Sequence, residues 1–286
     1  MFFDELIRTS SKPMDVIPSG ALKEGAPKNT IKAILFDVYG TLFISRAGDI
    51  SIARQESGYK MAKIVDLLRR YRLKKEPEPF LDEFFGAIER KKDELRSRGI
   101  DYPEVDIKEI WQTITGFEDN ELVRRFAIEY ELVVNPLYPM PRAEELLALC
   151  KEKRIPMGII SNAQFYTLHL FSSLMGGNLE DLGFSRALLF FSYVSRYCKP
   201  SLILFERAAE ALAKCGIAIE NALYIGNDML KDICPAQKTG FQTALFAGDG
   251  RSLNMREDDE RIRGVSPDMV VTDFSQIMEF VGEQKA

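Results

Sequence analysis

Three short apolar runs each end on a polar residue of the kind that phosphate chemistry uses. Ala33-Ile34-Leu35-Phe36 ends on Asp37 and continues as Val38-Tyr39-Gly40-Thr41. Met157-Gly158-Ile159-Ile160 ends on Ser161-Asn162, and Ala222-Leu223-Tyr224-Ile225 ends on Gly226-Asn227-Asp228. A carboxylate at Asp37 can attack phosphorus or an activated carbon and carry a covalent intermediate. Gly40 permits a sharp turn behind it, and Thr41 offers a hydroxyl and an N–H to a tetrahedral oxyanion. Ser161 and Asn162 offer a hydroxyl and an amide to phosphoryl oxygens. Lys199, before Pro200 and a helical stretch, offers a cation to both a carboxylate and a phosphate. Asn227, Asp228 and Asp232 bring hard oxygens that suit Mg2+, and Asp37 beside them adds an anion that a cation would relieve. Each has a plainer use when taken singly. An aspartate closes a turn, a serine or aspartate caps a helix, and a lysine stays in solvent. Only the recurrence at three strand ends favours chemistry.

Those residues need elements to bring them together. Runs that are apolar at every position suit parallel strands buried on both faces. In open α/β sheets, ligands sit beyond the carboxyl ends of such strands. The expected fold is therefore α/β, a doubly wound, Rossmann-like parallel sheet over residues 31–44 and 136–286. Helices are expected at Ala143 to Lys153, Ser201 to Lys214 and Asp228 to Thr239, with strands at Gln242 to Ala247 and Asp268 to Thr272. Residues 45–135 differ: charge is dense, and four amphipathic helices recur. They are marked by Met61/Ile64/Val65/Leu68, Leu81/Phe84/Phe85/Ile88, Ile107/Ile110/Trp111/Ile114 and Leu122/Phe126/Tyr130. This reads as an inserted all-helical domain. Residues 1–30, broken by Pro13, Pro18, Gly20 and Pro27, read as a mostly irregular arm.

Bulk properties narrow the partners. The 286 residues carry a net charge of −5, are 46% hydrophobic, and include four cysteines and one histidine. The acidic balance argues against nonspecific nucleic-acid binding. No run is long enough for a membrane span. Scattered cysteines and a lone histidine argue against structural zinc and for reduced thiols in a cytoplasmic protein. The expected partner is a small-molecule substrate. His169, beside Leu168 and Leu170, reads as a packing or surface histidine. Arg90-Lys91-Lys92 reads as a solvated helix face, with a phosphate-gathering lip as its sharper alternative.

Taken in this order, the four motifs resemble those of the haloacid dehalogenase superfamily of hydrolases. The first is Phe36 to Leu42, the second Ser161-Asn162, the third Lys199-Pro200 and the fourth Gly226 to Asp232. The resemblance implies a helical cap over the site and Asp37 as nucleophile. It also implies Thr41, Ser161, Asn162 and Lys199 as phosphate-holding groups. Mg2+ would be held by Asp37, the backbone carbonyl of Tyr39 and the fourth-motif residues Asn227, Asp228 and Asp232. Tyr39 stands where phosphatases of the family carry a second aspartate that protonates the leaving group. That feature is shared with the 2-haloacid dehalogenase branch, whose halide leaves without a proton. The fourth motif instead keeps acids, as in metal-using members. Arg54-Gln55 is the nearest candidate for the halide-binding arginine of that branch. The resemblance implies a Mg-dependent phosphatase acting through an aspartyl-phosphate. Its alternatives are a 2-haloacid dehalogenase acting through an aspartyl ester and a weakly active binding or regulatory member.

Overall fold

The computed structural model describes residues 2–45 and 57–282. The chain opens with α1 (Phe2–Ser10), passes through β1 (Glu24–Gly25), and reaches the first apolar run as β2 (Ala33–Phe36). β3 (Phe43–Ser45) leads toward four helices: α2 (Ser57–Arg70), α3 (Pro77–Ser97), α4 (Ile107–Thr115) and α5 (Asn120–Val134). β4 (Leu137–Pro139) brings the chain back. There follow α6 (Ala143–Glu152), β5 (Met157–Ser161), α7 (Thr167–Leu174), β6 (Phe184–Phe191), α8 (Ser192–Ser195) and α9 (Ile203–Lys214). The chain closes with β7 (Ala222–Gly226), α10 (Cys234–Thr239), β8 (Gln242–Phe246), β9 (Met269–Val271) and α11 (Ser275–Gly282).

Seven strands form one sheet in the order β1-β9-β8-β7-β2-β5-β6, parallel throughout except for β1. The three apolar runs are its adjacent strands. β2 lies between β5 and β7, with Phe36 level with both Ile159 and Ile225. All three are buried at every position, as strands covered by helices on both faces must be. Their carboxyl ends therefore meet, and the Asp37 N–H donates to the Ile225 carbonyl at 2.8 Å. The fold is thus an α/β sheet with an all-helical cap.

The cap leaves and returns through a separate antiparallel pair, β3 with β4, in which Ser45 stands opposite Leu137. Its four helices follow the four apolar periodicities. Trp111 stacks on Phe84 at 4.1 Å between centroids and meets Phe126 and Tyr130 edge-on or tilted. Glu129 on α5 ties the cap further, accepting from Arg70, from the Tyr71 hydroxyl at 2.9 Å and from Arg125 at 2.9 Å.

Three expectations change. The arm is not mostly irregular at its start: Phe2 to Ser10 is a helix packed on α7 and α5. Its apolar face was short enough to pass unnoticed beside the Pro/Gly punctuation that follows. The irregular part also packs, with Ser19 donating to Ala247 O at 2.6 Å and Gly250 N–H to Ile17 O at 2.6 Å. The segment Asp228 to Thr239 is not one helix. A π-turn at Met229–Ile233 precedes α10, and Pro235 sits in the first turn of α10, where its missing N–H costs nothing. β6, rich in aromatics, is an added sheet-edge strand. Its half-exposed pattern hid it from a search for fully apolar runs.

Because Ile7 of α1 is fully buried, Ile7→Ala should destabilise the whole protein by about 2–4 kcal/mol, as large-to-small core changes do. Urea unfolding measures this; a midpoint equal to wild type would show that α1 is not part of the folded body.

Candidate active site

Lys199 is the hub. Its side chain is 2% exposed, and Nζ donates to Asp37 Oδ1 at 2.7 Å, Asp232 Oδ1 at 2.5 Å and the Tyr224 hydroxyl at 3.1 Å. Burial by itself favours a neutral amine, yet the carboxylates of Asp232 and Asp37 win and hold the Lys199 pKa above its ordinary value. The Asp232 carboxyl is pushed up to about 6 by burial, against the pull of Lys199 and with the push of Asp37 and Asp228. Asp232 also receives the N–H groups of Asn227 and Asp228 on Oδ2, at 3.1 and 2.9 Å. It therefore closes the end of β7 as well as pairing the lysine. Gly226 makes this possible, since a Cβ there would lie 2.4 Å from the Asp232 carboxyl carbon.

Asn162 acts on Lys199 through the main chain. Its amide oxygen accepts the Lys199 N–H at 2.7 Å, and its amide nitrogen donates to the Lys199 carbonyl at 3.2 Å. Both ends of the amide are spent on positioning, so the expected phosphoryl contact is not what this side chain is arranged to make. Ser161 is fully buried, and its hydroxyl reaches only its neighbour's carbonyl, at 3.4 Å. The Thr41 hydroxyl donates to Asn227 Oδ1 at 3.2 Å. Asn227 in turn donates to Ser252 O at 2.6 Å. Gly40, at φ +83°, passes so close beneath that a Cβ would come within 2.6 Å of the Asn227 amide. The first and fourth motifs are thus clamped together.

The metal expectation meets a different arrangement. Asp228 is neutralised by Arg256, which approaches it through Nη2 at 2.6 Å and Nε at 3.2 and 3.3 Å. Its Oδ1 also caps the π-turn by accepting from Leu230 and Lys231 N–H groups. Two side-chain cations, Lys199 and Arg256, thus offset two of the three negative charges on Asp37, Asp228 and Asp232, leaving one that a bound cation would relieve. Among the described residues, no group of three or more His, Cys, Asp or Glu stands ready as a metal cage. The donor atoms are nevertheless hard oxygens of the right chemistry. The structure shows them with protein partners.

The Tyr39 hydroxyl is 2.7 Å from that of Thr167. Burial, with the carboxylates of Glu131 and Asp37 adding to it, pushes this phenol well above its ordinary range. Tyr39 is therefore a weak acid near neutral pH. Arg54-Gln55 lies outside the described residues. His169 bridges elements: Nδ1 meets Asp4 at 3.1 Å and Nε2 meets Arg124 at 3.2 Å, which ties α1 to the cap.

Above this floor, between core and cap, lies a cavity of about 550 Å3. Tyr39, Asn162 and Lys199 line its base. Lys231, Arg256 and Arg261 line it from the core, and Lys92 and Arg96 from the cap. Lys92 thus belongs to the lip rather than to a merely solvated face. Sequence reasoning missed Tyr224, Arg256 and Glu131. Tyr224 carried a signal, being the one polar-tipped residue inside an apolar strand. Arg256 and Glu131 carried none, because they arrive from a distant loop and from a cap helix.

A sequence model of haloacid dehalogenase-like hydrolases matches residues 31–238. The chain belongs to this family. Solved structures share the fold. A 2-haloacid dehalogenase from Pseudomonas syringae pv. tomato DC3000 is 18% identical with a TM-score of 0.52, over 88% of this chain and 99% of that one. A HAD phosphatase from Thermococcus onnurineus is 17% identical at 0.56, over 90% and 100%. An L-2-haloacid dehalogenase from Xanthobacter autotrophicus is 19% identical at 0.51, over 90% and 100%. No curated protein matches the chain. Both activities therefore occur on this fold among the similar structures. The first, second and fourth motifs of this family member fall at the ends of β2, β5 and β7, with the third between α8 and α9.

Removing Lys199 would leave Asp37 and Asp232 face to face, and stripping a buried ion pair of one partner costs about 3–5 kcal/mol. Two carboxylates that repel raise each other's folded-state pKa. The folded state then binds protons more tightly than the unfolded state, so stability falls as pH rises. Lys199→Met should lose about 3 kcal/mol near pH 7.5 and recover part of it near about pH 5, close to where carboxyls titrate. Urea midpoints at the two pH values measure it; an equal loss at both would show that the carboxylates do not interact.

Proposed function

We propose that this chain hydrolyses a small phosphorylated metabolite, a phosphomonoester, through an aspartyl-phosphate on Asp37. One observation carries the reading: Lys199, which bonds Asp37 at 2.7 Å, lines a cavity of about 550 Å3 together with Lys92, Arg96, Lys231, Arg256 and Arg261. That volume suits a metabolite-sized ligand. A small haloacid would fill little of it, and its single carboxylate would use few of the cations. Oδ1 of Asp37 accepts the hydrogen bond from the lysine. In the proposed reaction its other oxygen forms the bond to phosphorus, the ester oxygen departs with the electron pair, and water then cleaves the aspartyl-phosphate. Lys199 balances the charge on Asp37 before attack and on the phosphoryl oxygens during it. The proposed setting is cytoplasmic, where the four free cysteines stay reduced.

Mg2+ belongs to the proposal through its donor set. Asp37, the Tyr39 carbonyl, Asn227 and Asp228 would hold it, with Asp232 kept by Lys199. When bound, it would neutralise phosphoryl charge as a Lewis acid. Arg256 competes for Asp228. Arg256→Gln should therefore tighten Mg2+ binding in calorimetric titration, by roughly tenfold if one charge-assisted contact of about 1.4 kcal/mol is relieved. Absence of binding in both proteins at millimolar Mg2+ would remove the metal from the proposal.

The dehalogenase reading is favoured by one observation: Tyr39 stands where a second aspartate would serve as acid and is itself a weak acid, and a halide needs no proton. A panel separates the two. Wild type should release phosphate from an aryl phosphate, and Asp37→Asn should abolish it while leaving the unfolding midpoint within about 1 kcal/mol of wild type. Halide release from a 2-haloacid with no phosphate release would reverse the assignment. Silence on both would favour a binding or regulatory member.

A further inference from the structure

We propose that Glu131 of the cap donates the proton to the departing ester oxygen, a task for which Tyr39 is a weak acid. This rests on the phosphomonoester reading above.

Glu131 stands in the last turn of α5 and lines the same cavity as Tyr39, Asn162 and Lys199. Its carboxyl group is fixed from two sides. Oε2 accepts from the Tyr166 hydroxyl at 2.9 Å, and Oε1 accepts from Asn135 Nδ2 at 2.9 Å. Tyr166 belongs to the core segment between Ser161 and α7, so the contact joins cap to core beside the second motif. The other cavity acids are placed otherwise. Glu104 is bound to the Ser192 hydroxyl and the Val105 N–H, and Asp101 is exposed and folds onto the Tyr102 N–H. Glu131, by contrast, bears on Tyr39 electrostatically more strongly than Asp37 does. A carboxyl group from the cap thus lines the cavity that Tyr39 and Lys199 also line.

The step balances. An Asp37 oxygen bonds to phosphorus as the phosphorus–ester oxygen bond breaks. That oxygen keeps the electron pair and takes the proton of the Glu131 carboxyl. The resulting carboxylate then receives a proton from the water that attacks the aspartyl-phosphate, which restores Glu131 and frees Asp37 and phosphate. Burial raises the Glu131 pKa, although hydrogen bonds from Asn135 and Tyr166 and the charge of Lys60 pull it down. The titratable groups facing it are Tyr39 and Tyr166 from the core, Tyr130 from its own helix and Lys60 from α2. Burial thus acts in favour of the protonated carboxyl.

The test compares wild type, Glu131→Gln and Glu131→Asp on p-nitrophenyl phosphate and on an alkyl phosphate such as glycerol phosphate. A nitrophenolate departs with little help, and an alkoxide needs a proton. Glu131→Gln should lower alkyl-phosphate kcat by about 10²- to 10⁴-fold, lower aryl-phosphate kcat by less than about tenfold, and remove the basic limb of the alkyl pH profile. Glu131→Asp, which keeps the acid on a shorter arm, should show a smaller split and keep the limb. It also stands in should the Gln variant not fold. An alkyl-to-aryl ratio unchanged in both variants, with wild type active, overturns the role of Glu131 alone. A wild type that releases phosphate from neither ester overturns the phosphomonoester reading, and this proposal with it.

Discussion

A single buried ammonium organises this molecule's chemistry. Lys199 holds Asp37 and Asp232 together at distances of 2.7 and 2.5 Å, in surroundings where none of the three ions would be tolerated alone. The arrangement explains why so much of the nearby structure is devoted to placement. Asn162 grips the lysine backbone at both ends, Tyr224 adds a hydroxyl from the neighbouring strand, and Asp232 is locked by two N–H groups of the fourth motif. Three strands and a loop are therefore joined by one proton-rich centre. Asp37 is held in this way through one oxygen, with the other left without a lysine bond.

Charge is divided between the two walls of the cavity. The core provides Lys199, Lys231, Arg256 and Arg261. The cap provides apolar and aromatic packing, two more cations and the Glu131 carboxyl group. A phenol at position 39, itself held by Thr167, leaves the floor without a second carboxyl group, and the cap places one, Glu131, in the same cavity.

Much of this was legible in the sequence because buried parallel strands write a simple code. Four consecutive apolar residues at 33–36, with similar runs at 157–160 and 222–225, located the sheet centre, and the polar residues after them located its active edge. The cap helices were equally plain from their 3.6-residue spacing. What did not show depended on contacts between distant segments. Arg256 reaches Asp228 from a loop held to the fourth motif by Asn254, and nothing local in Arg256 announces it. Asn162 read as a phosphate ligand because its chemistry allows that, and only the backbone geometry of Lys199 shows where its amide is spent. The π-turn after Asp228 escaped because a helical periodicity does not specify how tightly the first turn is wound.

The antiparallel pair of β3 and β4 has a wider consequence. Because Ser45 and Leu137 face each other in register, the two ends of the cap lie side by side whatever the chain does between them. Closing a longer or shorter excursion across such a fixed doorway changes its entropic cost only logarithmically, by about 0.6 kcal/mol for each doubling of length. The insertion is therefore free to diversify as a module. Its helices can be lengthened, exchanged or rebuilt around a different ligand while the Asp37–Lys199 centre beneath them stays as it is.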